Sequence, residues 1–220
     1  LSRTEVAGDV SPAVRDRISA EIPVGVYSGG RSHPAVRAIA QEVAVTGAPA
    51  LAARAATLLQ SNGMQASVDD ARGIDHGLFI PMMLSFPDAD IPMIEMSVER
   101  SFDPQLHLDA GKALAPLRGE GVLIVGSGMS FHNMRGYGDP RFTAPSEDFD
   151  RWLTAAAESD PDKRAALLAS WSDAPSGRLS HPREEHLLPL MVAAGASGGE
   201  GRRIYSERVM QTAISAFRFD

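Results

Sequence analysis

Apolar positions spaced three and four residues apart predict most of the helices of this chain. The pattern is clearest between Ala48 and Leu59, among strong helix formers, and it stops at Gly63, a residue type that often ends helices. A second apolar stretch opens at His76 and is also expected to be helical. The remaining predicted helices cover about residues 103–117, 146–159, 160–171 and 182–194.

Short apolar runs between the helices predict strands. Gly121–Gly126 reads Gly-Val-Leu-Ile-Val-Gly, which is typical of a strand buried on both faces. Further strands are predicted over about 64–68, 91–98, 203–206 and 212–219. Because strand, helix and strand follow one another without a hairpin turn, right-handed parallel crossovers are expected. The sequence therefore predicts an α/β fold, a single domain over residues 1–220 with a central parallel or mixed β-sheet flanked by helices on both faces.

The charge and the residue types narrow the range of partners. A formal net charge of −7 argues against nucleic acid, since proteins that bind phosphate backbones collect Lys and Arg into a positive surface. No run of about 18 apolar residues predicts a membrane span, and no signal-peptide pattern opens the chain, so we expect a cytoplasmic protein without a membrane partner. The chain has no cysteine, so any metal must be held by His, Asp or Glu.

His132 follows a glycine-rich segment that we expect at the end of a buried strand. The segment reads Gly126-Ser127-Gly128-Met129-Ser130-Phe131-His132-Asn133. Glycines let a backbone approach a ligand closely, and the carboxyl ends of strands in α/β sheets usually carry the chemistry. The alternative is a tight turn at the glycines, with His132 capping the segment that follows. The dinucleotide pattern G-x-G-x-x-G is excluded because Phe131 stands at the third glycine position.

His186 lies in the charged segment Ser180-His181-Pro182-Arg183-Glu184-Glu185-His186-Leu187-Leu188. If Pro182 is the first helical residue, Glu184 falls in the first turn and His186 follows one turn later, where its ring can face inward. The alternative is a solvated charge cluster with one core histidine. The segment does not contain the H-E-x-x-H pattern of zinc proteases.

His76 is the third candidate and stands in Asp75-His76-Gly77, at the start of a predicted helix. A neighbouring carboxylate can orient an imidazole ring, and Gly77 allows another group to come close. Asp75 is equally well explained as the N-cap of that helix. His33 and His107 are both expected to be surface histidines.

Taken in order, these motifs resemble the class III extradiol ring-cleavage dioxygenases of the DOPA-dioxygenase type. Each motif is weak alone, but five of them in the same order are specific, and the resemblance extends from about residue 47 to the C-terminus. The five motifs are Asp75-His76-Gly77 with Pro81, Asp88–Pro92, Gly111–Arg118, Gly126-Ser127-Gly128 with His132-Asn133, and Arg183–Leu190. The ending Ala213–Phe219 is also similar to that of the family.

The resemblance implies a non-haem divalent metal, Fe(II) in most members and Zn(II) in some structures, and the opening of a catechol ring by O₂. It implies that His186 is a metal ligand, that His132 is a metal ligand or the acid/base at the metal, and that His76 binds or orients the substrate. Fe(II) with His and carboxylate ligands keeps open positions for substrate and O₂, and a nearby histidine can take and return protons. The implied partners are a small aromatic diol and O₂, and a homo-oligomer is compatible with this assignment.

One part of the family pattern is missing. Members carry two further histidines near the N-terminus, in Ser-His-Gly and Ala-His-Trp contexts, and Ser32-His33-Pro34 resembles the first only faintly. The N-terminal metal-site segment is therefore either omitted from this chain or diverged, and the weakly patterned residues 1–46 favour omission. If the ligands are lost, the alternative function is a non-catalytic or altered-metal homologue that serves as a binding or assembly subunit.

Overall fold

The structure is a computed structural model that describes residues 47–69, 76–86, 88 and 90–220. The chain divides into two compact units, one formed by Leu1–Arg54 with Ser67–Met96 and the other by Ala55–Ala66 with Ser97–Asp220. The interpretation of residues 1–46, including the missing histidines of the family pattern, lies outside the described residues. A single domain over 1–220 stays a prediction.

Helices account for most of the regular structure. Those predicted near residues 49, 76, 103, 146 and 160 are confirmed, each with its ends shifted by a few residues. The described α-helices are α1 Pro49–Ser61, α2 His76–Ser85, α3 Pro104–Leu114, α4 Pro116–Gly119, α5 Thr143–Ala157, α6 Pro161–Ala169, α7 Gly177–Ser180 and α8 Leu188–Gly195, with 3₁₀ turns at Pro140–Phe142 and Trp171–Asp173.

Local capping explains why α3 begins where it does. The Asp103 side chain accepts a hydrogen bond from the Gln105 backbone N–H at 2.8 Å, and Pro104 occupies the first turn, where no intrahelical N–H partner is needed. Among the described helices, none combines the length and the apolar content that a bilayer crossing requires.

The helix predicted over residues 182–194 is wrong in its first half, because α8 begins only at Leu188. Pro189 explains the difference. A proline has no N–H to donate to the carbonyl of Glu185, and its ring would clash with that carbonyl inside a continuing helix. Pro189 is accommodated in the first turn of a new helix, and residues 182–187 form turns instead.

Two late strands are confirmed and pair as an antiparallel hairpin. β1 spans Gly201–Val209 and β2 spans Thr212–Phe219, with Val209 opposite Thr212 at the turn. The two connecting residues, Met210 and Gln211, have φ values of 45° and 68°, as a two-residue hairpin turn of the primed type requires.

The central parallel or mixed sheet is not confirmed. Among the described residues, the segments predicted as strands at 64–68, 91–98 and 121–126 form no ladder, and only a single parallel bridge joins Gly47 to Met93. A strand needs a neighbour that bonds its backbone N–H and C=O groups, and an apolar run does not specify that neighbour. The chain mixes helices with strands, as predicted, while the central sheet stays a prediction.

The core of the second unit lies directly beneath the loops that carry the candidate residues. Phe149, Leu153 and Ala156 are fully buried on one face of α5, and Leu187 and Leu188 are buried at the start of α8. Full burial of one such large apolar side chain stabilises the fold by about 1.5–3 kcal/mol. The apolar residues next to His186 therefore anchor its loop to the core.

Candidate metal centre

Two loops far apart in sequence bring His132 and His186 together. Their imidazole rings stack with centroids 3.4 Å apart and an interplanar angle of 16°. Glu185 completes the group, since one ligand atom from each of the three residues lies within 4.8 Å of the others. All three side chains are partly buried.

Gly126 and Gly128 allow the two loops to touch. A Cβ atom at Gly126 would lie 2.4 Å from the Pro189 carbonyl oxygen, and one at Gly128 would lie 2.2 Å from the His186 carbonyl oxygen. The two loops are also joined by a hydrogen bond, in which the N–H of Met129, the residue after Gly128, donates to the His186 carbonyl at 2.8 Å. The glycines were predicted to permit close approach to a ligand, but what they approach is the backbone that carries His186.

Backbone and side-chain hydrogen bonds hold the loop around His132. The His132 N–H donates to the Ser180 carbonyl at 3.0 Å, and the Tyr137 hydroxyl donates to the Phe131 carbonyl at 2.8 Å. The Asn133 side-chain amide donates to the Leu179 carbonyl at 2.7 Å. Because consecutive residues are bonded, the imidazole of His132 is preorganised.

The electrostatics of the group favour a cation. Glu185 Oε1 lies 3.6 Å from Nδ1 of His186, and Oε2 lies 3.5 Å from Nε of Arg183. Within the described part of the chain, the buried Oε2 atom accepts no hydrogen bond. Burial lowers the pKa of His132, while the negative charge of Glu185 opposes this change. A neutral imidazole offers a lone pair to a metal, so His132 is prepared to act as a ligand or a proton acceptor.

The donor chemistry fits a divalent metal. Two imidazoles and one carboxylate form the ligand combination that non-haem Fe(II) enzymes use, and the same atoms also suit Zn(II). Oε2 of Glu185 is buried and accepts no hydrogen bond within the described residues, although the Arg183 guanidinium lies 3.5 Å away, so this oxygen has capacity for a further partner. The residue types present and their proximity therefore suit such a metal.

A cavity of about 460 Å³ opens beside His186. Its walls include the extended segment Val122–Gly126, the side chains of Leu187 and Leu190, and the end of β2 around Phe217. Mostly apolar walls with a few polar groups are typical of small-molecule sites, and the volume falls in the usual range.

The sequence predicted His132 and His186, and the structure brings them together. His76 begins α2 in the other compact unit, and its ring lies outside the described side chains, so its role stays a prediction. Glu185 was not among the predicted site residues, and the alternative for its segment was a solvated charge cluster. Its position next to His186 was the available sign that it belongs to the site.

Two further histidines are more buried than the sequence suggested. His107 is 3% exposed, so the prediction of a surface residue is wrong. Its Nδ1–H donates to the Asp103 carbonyl at 2.6 Å, and Nε2 accepts from the Glu99 N–H at 3.1 Å. His181 has no exposed surface and lies between the rings of Phe149 and Trp171. Neither sequence context indicated this burial.

Comparison with known proteins identifies the family. Residues 21–218 match the family described as "Catalytic LigB subunit of aromatic ring-opening dioxygenase". The 4,5-DOPA dioxygenase extradiol of Mirabilis jalapa is 41% identical over 158 residues, which cover 69% of this chain and 57% of that protein. The 4,5-DOPA dioxygenase extradiol of Escherichia coli (strain K12) is 35% identical over 158 residues, covering 70% and 58%.

A solved structure agrees with this result. The crystal structure of an uncharacterized protein from Escherichia coli K12 is 29% identical, with a TM-score of 0.70, and the match covers 81% of this chain and 75% of that one. The chain spans 57% of the length of the first curated relatives that it matches. With the family match over most of its residues, the chain belongs to the LigB family of class III extradiol, aromatic ring-opening dioxygenases.

Proposed function

We propose that this chain provides the metal-binding part of an extradiol dioxygenase that opens a catechol-type ring with O₂. The observation that carries the proposal is the group of His132, Glu185 and His186, whose ligand atoms lie within 4.8 Å of one another beside a cavity of about 460 Å³. Relatives named 4,5-DOPA dioxygenase extradiol support the reaction type.

Fe(II) is the proposed metal, and Zn(II) would be accepted by the same atoms. His186 and Glu185 would hold the ion, and His132 would either complete the ligand set or move protons. When bound, the metal supplies Lewis acidity and open positions at which an aromatic diol and O₂ can meet.

His132 is suited to proton transfer because its loop is fixed and its ring is kept neutral. Burial lowers the pKa of this imidazole, so near neutral pH it can accept a proton from a diol hydroxyl and return it later. The stacked ring of His186, 3.4 Å away, limits the positions that the His132 ring can take. The apolar cavity walls would receive the face of the aromatic substrate. The family resemblance, and no contact in the structure, is the basis for proposing that His76 binds or orients the substrate.

The test is ring opening by the anaerobically Fe(II)-loaded chain, followed by the absorbance of the yellow product across a panel of catechols. We expect His132→Ala and His186→Ala to lose about 10²–10⁴-fold in turnover, the usual contribution of general acid-base catalysis or more. If the His132 variant keeps its metal but loses turnover, the role of His132 is proton transfer. If the variant loses both the metal and the turnover, His132 is a metal ligand.

The second candidate is a non-catalytic or altered-metal homologue that serves as a binding or assembly subunit, because the two N-terminal histidines of the family pattern are not found in the sequence. Metal analysis separates the two functions. A chain that takes up no divalent metal under anaerobic Fe(II) loading supports the second candidate. A metal-loaded chain that opens no catechol of the panel contradicts the proposed activity.

A further inference from the structure

Ser130, two residues before His132, is anchored at both of its polar groups. Its carbonyl oxygen lies 3.0 Å from Nε2 of His181, and its hydroxyl oxygen accepts the Ser215 N–H at 2.8 Å. Ser130 is 8% exposed, so both bonds are largely shielded from water. The Ser130 carbonyl, which lies two residues before His132, is therefore held by His181. This imidazole does not belong to the group of His132, Glu185 and His186.

The chemistry of this contact fixes the state of the His181 ring. A carbonyl oxygen can only accept a hydrogen bond, so Nε2 of His181 must carry the proton. Burial lowers the pKa of His181 to about 4, which keeps the ring neutral and in this tautomer near neutral pH. Phe149 and Trp171 contact the ring edge to face, with centroids 5.3 and 5.9 Å away, and fix its orientation.

The neighbouring residue holds the other end of the same short segment. The Ser180 carbonyl accepts the His132 N–H at 3.0 Å, while His181 holds the Ser130 carbonyl. Ser180 and His181 thus fasten the backbone on both sides of Phe131. We infer that His181 is a positioning residue that sets the place of the His132 ring against His186 through the Ser130 carbonyl. The expected effect on metal binding rests on the proposed function, but the expected effect on the backbone around His132 does not.

A simple packing role explains His181 less well. Within the described residues, its buried Nδ1 atom has no hydrogen-bond partner. Burying such an acceptor costs free energy, which a leucine or phenylalanine of similar volume would avoid. The imidazole is better explained by the bond that Nε2 donates than by the volume that the ring fills.

The test compares His181→Gln, whose amide can still donate to the Ser130 carbonyl, with His181→Leu, which cannot. His107→Gln and His107→Leu form the matched control, since His107 is also buried but bonds only backbone groups near α3. Zn(II) affinity is measured by competition with a chromophoric chelator, and exchange of the His132 amide hydrogen is measured by NMR in the metal-free chain.

We expect His181→Leu to raise the Zn(II) dissociation constant by about 10–100-fold, the usual effect of losing a group that orients a metal ligand. The His132 amide should exchange faster in this variant by a similar factor, while amides in the middle of α5 keep their protection. His181→Gln should stay within about threefold of the parent chain in both measurements. The His107 pair should leave the Zn(II) affinity unchanged.

Equal Zn(II) affinity and equal His132 exchange in the Gln and Leu variants would overturn the inference. If His181→Leu does not fold, His181→Met removes the same donor with a more adaptable side chain. Failure of the parent chain to bind Zn(II) would count against the proposed function instead. The amide exchange of His132 would then still decide whether His181 positions the loop.

Discussion

Lowering the pH from 7 to 5 is expected to destabilise the chain through His181. Burial lowers the pKa of this imidazole from 6.5 to about 4, while the Ser130 carbonyl opposes the change. Charge on His132 or His186 lowers it further, and Glu184 raises it. Between these pH values the unfolded chain binds more protons than the folded one. The contribution of the neutral His181 ring to the unfolding free energy is therefore complete above about pH 6.5, and it is lost as the pH falls towards 4.

The size of the effect follows from the difference between the two pKa values. Each pH unit corresponds to about 1.4 kcal/mol, so His181 accounts for at most about 3 kcal/mol of unfolding free energy. About 2 kcal/mol of this is lost by pH 5. Domains are typically stable by about 5–15 kcal/mol, so a loss of this size is measurable.

The assay is urea unfolding at pH 7 and pH 5, followed by tryptophan fluorescence, on the parent chain and on His181→Gln. Glutamine does not titrate, and its amide can keep the bond to the Ser130 carbonyl. The parent chain should lose about 2 kcal/mol more than the variant between the two pH values. Equal losses in the two chains would show that the charge state of His181 does not control the stability between pH 7 and pH 5.

Three further substitutions test the contacts described above. Gly128→Ala places a Cβ 2.2 Å from the His186 carbonyl oxygen and should weaken Zn(II) binding by about tenfold or more. Gly119→Ala is the control, because its Cβ meets nothing within 4 Å, and it should leave Zn(II) binding unchanged. Equal Zn(II) affinities in the two variants would argue against close contact between the two loops. Leu153→Ala should cost about 2–5 kcal/mol in urea unfolding, and a smaller loss would mean that the core collapses around the gap. Tyr137→Phe should cost about 1 kcal/mol, and no loss would show that its bond to the Phe131 carbonyl is unimportant.

The helices were predictable because their determinants lie within a few residues of one another. Asp103 and Pro104 specify the start of α3, and the apolar spacing after Ala48 specifies α1. The helix predicted from Pro182 is wrong in its first half because Pro189 lies in the first turn of a helix that begins at Leu188. A continuing helix would need the Pro189 nitrogen to donate a hydrogen bond to the Glu185 carbonyl, which proline cannot do. The spacing of the charged residues before Pro189 therefore does not indicate a helix.

Features that depend on distant partners could not be predicted in the same way. The apolar run Gly121–Gly126 suggests a buried strand, yet Leu123 is 81% exposed and no strand pairs with it among the described residues. The local segments indicated His132 and His186 as candidates, and the family resemblance implied their roles at a metal, but their stacking against each other depends on contacts between distant loops. The burial of His181 arises from contacts with Phe149 and Trp171, which spacing along the chain does not reveal.

Metal binding by this chain is tested by anaerobic equilibrium dialysis of the metal-free chain against Fe(II). We expect one equivalent of iron per chain, held by the group that contains His132, Glu185 and His186, and loss of that equivalent in His186→Ala. Equal iron content in the parent chain and in the variant, or no bound iron in either, would contradict this expectation.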